Sequence, residues 1–414
     1  MPAGPPDTAG RRIPAWSGDR GGKMKPDARF SIAEEIMLDF AGRTGLSPSG
    51  EPPRRYLWTD AFAVCNYLEL HRRSGAARYR DLALLLVDQV HHVLGRHRPD
   101  DSRSGWISGM EECEGEIHPT FGGLRIGKKL NERAPNDRID ERLEWDRDGQ
   151  YYHYLTKWMH ALSRVSRVTE NMKYNTWAVE LARTAHRGFL YAPSFGGRKM
   201  MYWKMNIDLS APLVRSMGQH DPLDGFITYN ELAACAAKAP PWAGEDVLGK
   251  EIADIEKICL GKTWTTDDPL GIGGLLFDAF RVVQLMTGGS FEGNDLLTAL
   301  LDAARVGLNA CLRRNSLELP ADYRLAFREL GLSIGLKAID RLWRLIERKP
   351  DLFRERQELR ARVEALMRYT PLVEIIEGFW LDDGNRQAES WTEHEDINSV
   401  MLATSLIPDG FLTL

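Results

Sequence analysis

The strongest constraint on how this chain can fold is the alternation of short and long connections between amphipathic helical stretches. Apolar residues recur at helical spacing in paired segments: about 58–71 with 79–95, 151–168 with 172–191, and 222–238 with 246–260. Two further pairs follow at about 269–287 with 296–313 and 321–347 with 352–367. A lone helix at about 32–40 precedes the five pairs, and another at about 391–406 follows them. Within a pair the turn is short, as at Ser74-Gly75, Glu170-Asn171, Pro240-Pro241, Gly288-Gly289 and Lys349-Pro350. Between pairs it is mostly long: about 96–149, 192–221 and 369–390. No stretch carries the period-two alternation of a strand. Hairpins repeated in this way bury their apolar faces against one another, so no domain boundary appears between them. If the lone first and last helices pair, six hairpins close a ring. The expected fold is all-α, an (α/α)6 barrel (toroid) of six inner helices inside six outer ones, in one domain over 28–414.

Residues 1–27 are rich in Pro, Gly and Arg and lack the apolar stretch of a signal peptide, so they read as a disordered leader. The remaining bulk properties mostly exclude. A net charge of −5 and a pI near 6.1 argue against non-specific nucleic-acid binding. No window approaches the ~18 consecutive apolar residues of a membrane span. The five cysteines are scattered, with no CxxC pair, so neither a zinc ribbon nor a disulfide framework is indicated. The expectation is a cytoplasmic protein with no membrane or nucleic-acid partner, no cofactor and no metal, whose partner is a small-molecule sugar or anionic saccharide.

All the long connections arrive at the first helix of a pair, so they gather on one face of the ring, and long loops in a compact domain are usually functional. Acids and aromatics recur at those helix starts. The stretch from Glu144 to His160 is the densest: Trp145, Asp146 and Asp148 stand before a helix whose first turn holds Tyr151, Tyr152, His153 and Tyr154. Carboxylates do acid–base work and flat rings stack on pyranose faces, so this pattern points to a sugar site. Its structural alternative is an acidic cap followed by aromatic core.

Across the expected funnel, Glu393 and Glu395 lie in two overlapping capping-box registers, Ser390 with Glu393 and Thr392 with Glu395, of which only one can form. Asp146, Asp148, Glu393 and Glu395 are therefore the candidate catalytic acids. Candidate substrate contacts are Trp58, Asp60, Trp145, Tyr151, Tyr152 and Trp203, together with His220, Trp264, Trp380, Trp391 and His394. His118 and Arg125 join them from a Gly-rich basic loop, which could grip an anionic group or simply pair with the acidic run at 111–116. Asp221-Pro222 and Asp268-Pro269 have the form of a helix cap followed by proline.

In this arrangement the chain resembles the six-hairpin glycosidase superfamily, whose toroids include unsaturated-glucuronyl hydrolases and N-acylglucosamine 2-epimerase-like enzymes. The likeness extends over about residues 30–408 and is architectural, with no catalytic motif matched. It implies a carbohydrate-active enzyme, first a glycoside hydrolase with paired carboxylates. The alternatives are a sugar epimerase using histidine, a non-catalytic scaffold toroid, and a cyclase-like enzyme with an acid- and aromatic-lined apolar pocket.

Overall fold

The computed structural model describes residues 25–48, 52–134, 137–194, 196–237 and 245–414. Most of the expected leader, residues 1–24, and the Pro240-Pro241 turn lie outside the described residues. The helices that build the ring are α1 (Pro26–Arg43), α2 (Leu57–Ser74), α3 (Ala77–Leu94), α4 (Tyr152–Thr169), α5 (Lys173–Phe189), α6 (Asp221–Ala236) and α7 (Gly249–Cys259). They continue as α8 (Pro269–Thr287), α9 (Asn294–Arg313), α10 (Ala326–Arg348), α11 (Arg356–Met367), α12 (Leu372–Leu381) and α13 (Glu395–Leu406).

Six of them form a closed inner ring in which each touches the next: α2, α4, α6, α8, α10, α13 and back to α2. The outer layer follows the same order, with α3, α5, α7, α9 and α11 packed on their hairpin partners and α1 packed on α13. The first and last helices therefore pair, and the fold is the all-α (α/α)6 toroid.

An inner helix has a neighbour on every side, which explains the composition of α2. Every residue from Leu57 to Leu70 is buried, as expected for a helix that presents no face to water. By length and apolar composition α8 could cross a membrane; here it is an inner-ring helix that carries Asp278 and Arg281 within its apolar sequence. The closest approach in the ring is between α8 and α10. A Cβ on Gly273 would stand 2.1 Å from the Gly331 carbonyl oxygen, and one on Gly335 would stand 2.5 Å from that of Gly273. Glycine at these positions lets the two backbones touch.

Two features of the chain departed from expectation. The segment after α11 is not all loop: α12 packs against α10 and α13 and buries Glu377 and Trp380. Short strands also exist. β1 (Gln150–Tyr151), β4 (Lys204–Met205) and β5 (Pro212–Val214) make one sheet, while β2 (Leu190–Tyr191) pairs with β3 (Met200–Met201). Strands of two or three residues are too short to leave an alternating pattern in the sequence.

The contact between α8 and α10 sets the first prediction. Gly273→Ala forces two backbones apart in a packed ring and should cost about 1–3 kcal/mol of stability in denaturant unfolding. A variant as stable as the parent would show that the ring tolerates a wider spacing there.

Candidate functional site

The long loops are held at the mouth of the ring by buried polar anchors. Asp148 has no exposed surface. It accepts from Arg125 Nη1 at 2.5 Å and from the backbone N–H groups of Gly127, Lys128 and Gly149 at 3.0, 3.3 and 3.1 Å. Arg125 is used up in turn, donating to the carbonyls of Arg96 and Val93 at 2.7 and 2.6 Å.

Gln150, also enclosed, sews the two long loops together. Its Nε2 donates to the carbonyls of Gly122 and Ile207 at 3.0 and 2.6 Å, and its Oε1 accepts from Leu124 N at 3.0 Å. Lys204 Nζ reaches the Arg147 carbonyl at 2.8 Å and lies 5.5 Å from the centre of the Tyr151 ring. Burial pushes its ammonium down to about 8. The residue after Gln150 is Tyr151, so these anchors fix the start of α4.

From there a chain of aromatic contacts runs around one half of the mouth. Trp145 meets Trp203 at 5.1 Å, Trp203 meets Tyr151 at 5.9 Å, and Tyr151 meets Tyr154 at 5.2 Å. Tyr154 then lies 6.5 Å from Trp58, Trp58 is 6.4 Å from Phe327, and Phe327 is 6.0 Å from His394. Tyr56 and Tyr154 share a hydroxyl hydrogen bond of 2.7 Å.

A charged cluster occupies the other half. Lys157 Nζ holds both oxygens of Asp224 at 2.6 Å. Deeper in, Arg281 pairs with Glu231 at 2.7 Å and Asp278 at 3.2 Å and stands 3.9 Å from Asp224. Glu231 also binds His160 at 3.0 Å. Nearer the mouth, His153 Nδ1 is 3.6 Å from Asp221 Oδ1. Neither that nitrogen nor Asp221 Oδ2 has a hydrogen-bond partner among the described residues. Gly218 lies against the Asp221 carboxylate, where a Cβ would come within 2.6 Å of its oxygens.

The electrostatics separate these groups. Burial, reinforced by the Asp224 charge, pushes Asp221 up to about 7. Burial and the same charge push Asp278 up to about 7, against the pull of Arg281. Burial also works to raise Asp224, but Lys157 and Arg281 outweigh it and hold that carboxyl below the usual range. Burial lowers His153 to about 4, so its imidazole is neutral near pH 7.

The candidate acids chosen from sequence have different environments. Asp148 is enclosed as a loop anchor, whereas Asp146, Glu393 and Glu395 are exposed. Neither capping box forms: α13 starts at His394 with no side-chain cap, and Ser390 Oγ donates to the Ala321 carbonyl instead. Asp60 is buried, accepts from Tyr56 N at 2.9 Å, and is raised by burial to about 6. His118 pairs with Glu180 on α5 at 2.7 Å, away from the aromatic chain.

Arg125, spent on Asp148 and backbone carbonyls, is not free to hold an anion. Tyr152 turns outward to Tyr229 at 3.1 Å. His220 Nε2 meets the carbonyl of the buried Trp264 at 2.7 Å. Trp380 is enclosed, donating to Glu329 at 2.8 Å, and Trp391 stacks on it at 5.6 Å. Trp58, Trp145, Tyr151, Trp203 and His394 are the candidate contacts that the structure joins, in the aromatic chain.

Asp268 does cap its helix, accepting from Gly271 N at 2.9 Å. Asp221 does not: it stands inside the first turn of α6, after His220. Lys157, Asp224, Asp278 and Arg281 escaped notice as a group, although Asp278 and Arg281, three apart in an apolar helix, were a readable signal.

Two surface recesses, of about 340 Å³ beside Phe121 and Arg187 and about 160 Å³ beside His91 and Trp177, lie away from this cluster. The cluster is the better candidate because its unpartnered atoms are titratable and adjacent. Among the described residues no group of three or more His, Cys, Asp or Glu is arranged to hold a metal ion.

No protein-family model matches the chain, and no curated protein matches it in sequence. Among solved structures it is similar to an inactive variant of the α-1,6-mannanase GH76A of Salegentibacter sp. HEL1_6 in complex with α-1,6-mannotetrose. The identity is 12%, covering 92% of this chain and 99% of that one, with a TM-score of 0.48. It is also similar to a sugar epimerase from a ruminal bacterium at 10% identity, covering 83% of this chain and 87% of that one, with a TM-score of 0.43. These are likenesses of fold.

Two predictions follow from the geometry. Asp148→Asn leaves the buried Arg125 without its counter-charge and should cost about 3–5 kcal/mol in denaturant unfolding; a loss under about 1 kcal/mol would mean that the loop is held by other contacts. The second concerns pH. Asp221 and Asp278 rise from 3.8 to about 7 in the folded chain, so between those values the native state binds more protons than the unfolded one. Their stabilising share is complete below that window and is lost as pH rises through about 7. Thermal melts of Asp221→Asn should therefore decline less steeply than the parent between about pH 5 and pH 7.5. Parallel declines would show that Asp221 is ionised throughout.

Proposed function

We propose that the protein is a carbohydrate-active enzyme working by proton transfer, with Asp221 and His153 as its acid–base pair. The observation that carries this reading is their contact: a carboxyl raised to about 7 and a neutral imidazole stand 3.6 Å apart. Each keeps an atom without a hydrogen-bond partner, beside a chain of aromatic rings.

The pair suits epimerisation or isomerisation of a reducing sugar in its open-chain form. Asp221 donates its proton to the carbonyl oxygen while His153 takes the proton from the neighbouring carbon. The C–H electrons form the C=C bond of an enediol, and the carbonyl π pair moves onto the oxygen. Asp221 then carries a negative charge next to the new imidazolium, so the two charges stabilise each other. The aromatic rings supply apolar faces for the sugar carbons. Return of a proton to either carbon completes the reaction.

Glycoside hydrolysis is the second reading. It is favoured by the opposite shifts of Asp221 and Asp224, a split that lets one carboxyl stay protonated and another ionised at one pH. The enclosure of Asp224 by Lys157 counts against it as a nucleophile.

Incubating the protein with free reducing sugars in D2O and with aryl glycosides separates the two. Deuterium entering next to the carbonyl without bond cleavage is expected, and turnover should fall at least ~10²-fold in both Asp221→Asn and His153→Gln. Aglycone release without exchange would move hydrolysis to first place. Full activity in Asp221→Asn would overturn the assignment of the site.

A further inference from the structure

The buried groups around Asp221 can be counted as charges. Four carboxyls, Asp221, Asp224, Asp278 and Glu231, share the interior between α4, α6 and α8 with two cations, Lys157 and Arg281. Lys157 contacts Asp224 through both oxygens at 2.6 Å, and Arg281 makes its closest charged contact with Glu231 at 2.7 Å. Those two carboxylates are thereby matched. Asp278 has only a share of Arg281, at 3.2 Å, and Asp221 has no Lys or Arg in ion-pair contact among the described residues. Each neighbours the fixed charge of Asp224: Asp221 lies one turn earlier on the same helix, and Asp278 lies across Arg281 on α8. A further buried negative charge there has no cation of its own, and an unmatched buried charge costs more than a proton.

We infer that Asp224, clamped by Lys157, is a positioning residue whose permanent negative charge keeps the proton on Asp221. Lys157 holds that charge in place through both Asp224 oxygens. The inference rests on Asp221 being the proposed acid, but it concerns the charge of the resting protein and needs no substrate to be tested.

The other groups near Asp221 do not substitute for Asp224. From α4 come Tyr152, whose hydroxyl turns to Tyr229, His153, which is neutral near pH 7, and Lys157, whose positive charge works to lower Asp221. His220, beside it on the chain, is committed to the Trp264 carbonyl and is lowered by burial. From α8 come Asp278, itself raised, and Arg281, whose positive charge would release the proton rather than hold it. Asp224 is the one nearby group that both stays ionised and carries the right sign.

The test is a carbon-13 titration of aspartyl carboxyls in labelled full-length protein, with signals assigned through Asp221→Asn and Asp278→Asn. In the parent, three aspartyl signals should titrate near neutrality: Asp60 at about 6, assigned through Asp60→Asn, and Asp221 and Asp278 at about 7. In Asp224→Asn the Asp221 midpoint should fall by at least one pH unit, a tenfold change in proton affinity. In Asp278→Asn it should fall by less than in Asp224→Asn, because Asp278 is itself only partly ionised where Asp221 titrates. An unmoved midpoint in Asp224→Asn overturns the inference, as does an equal shift in Asp278→Asn. Should Asp224→Asn not fold, the parent alone decides: a fourth buried aspartyl carboxyl titrating with those three would mean that Asp224 is not held ionised. Sugar turnover is measured separately, so an inactive protein with the expected titrations would remove the proposed reaction and leave the charge assignment standing.

Discussion

The stack of Phe411 between Phe62 and Phe277, with ring centres 4.3 and 4.4 Å away, is the contact on which the rest of the toroid depends. Six parallel helices enclose an axis, and an axis lined by apolar side chains must be filled or it becomes a cavity, with the loss of packing that entails. The segment Asp409–Leu412 fills it. The turn Asp409–Leu412 folds back after α13, and the carbonyls it brings inside are all met by side chains of the ring. His160 Nε2 meets that of Phe411 at 2.9 Å, Arg164 Nε that of Gly410 at 3.1 Å, and Gln284 Nε2 that of Leu412 at 2.9 Å. Gly410 packs so closely that a Cβ would lie 2.2 Å from the Cys65 carbonyl oxygen. The last residues of the sequence thus connect helices from separate hairpins, and the ring is closed both laterally and along its axis.

The charges lie next to this apolar plug, and His160 belongs to both. It touches the Phe411 ring and carbonyl on one side and binds Glu231 on the other. From Glu231 the network runs through Arg281 to Asp278 and Asp224, and its unpartnered side-chain atoms are Arg281 Nε, Asp221 Oδ2 and His153 Nδ1. A buried polar network of this kind is costly unless its members are paired. Two of the unpartnered atoms, on Asp221 and His153, stand at the end nearest the mouth, in the first turns of α6 and α4.

The ring was legible because it follows from helix periodicity and loop length, which are local properties of the sequence. The bounds of α8 could be read to the residue, since Asp268 caps it with proline behind and Gly288 follows it. The helix α12 was not read: its EIIEGFW run lies in a stretch that looked like a connection, and only tertiary packing shows that Glu377 and Trp380 face inward. The site was less legible. Aromatics at helix starts are visible in sequence, and five of those chosen do meet. Which acid faces which cation depends on inter-helix geometry that spacing does not encode. Asp148 looked functional because it stands beside Trp145 and Tyr151, yet its neighbour in space is Arg125. Asp221 looked like a cap because Pro222 follows it, and its true environment comes from α4.

The two halves of the mouth divide the inner helices between them. The aromatic chain draws on the starts of α2, α4, α10 and α13, and the charged cluster draws on α4, α6 and α8. Only α4 belongs to both, and its first turn is where they join: His153 lies 4.8 Å from the Tyr154 ring, 5.3 Å from Tyr151 and 3.6 Å from Asp221. A sugar lying on the rings would present its edge to the acid–base pair, because stacking fixes the face and leaves the hydroxyls directed sideways. The orientation of this turn is therefore the quantity that the loops must control. That accounts for the buried anchors converging just ahead of it, with Asp148, Gln150 and Lys204 all spent within a few residues of Tyr151. Their burial is structural in each case, and it fixes the first turn of α4.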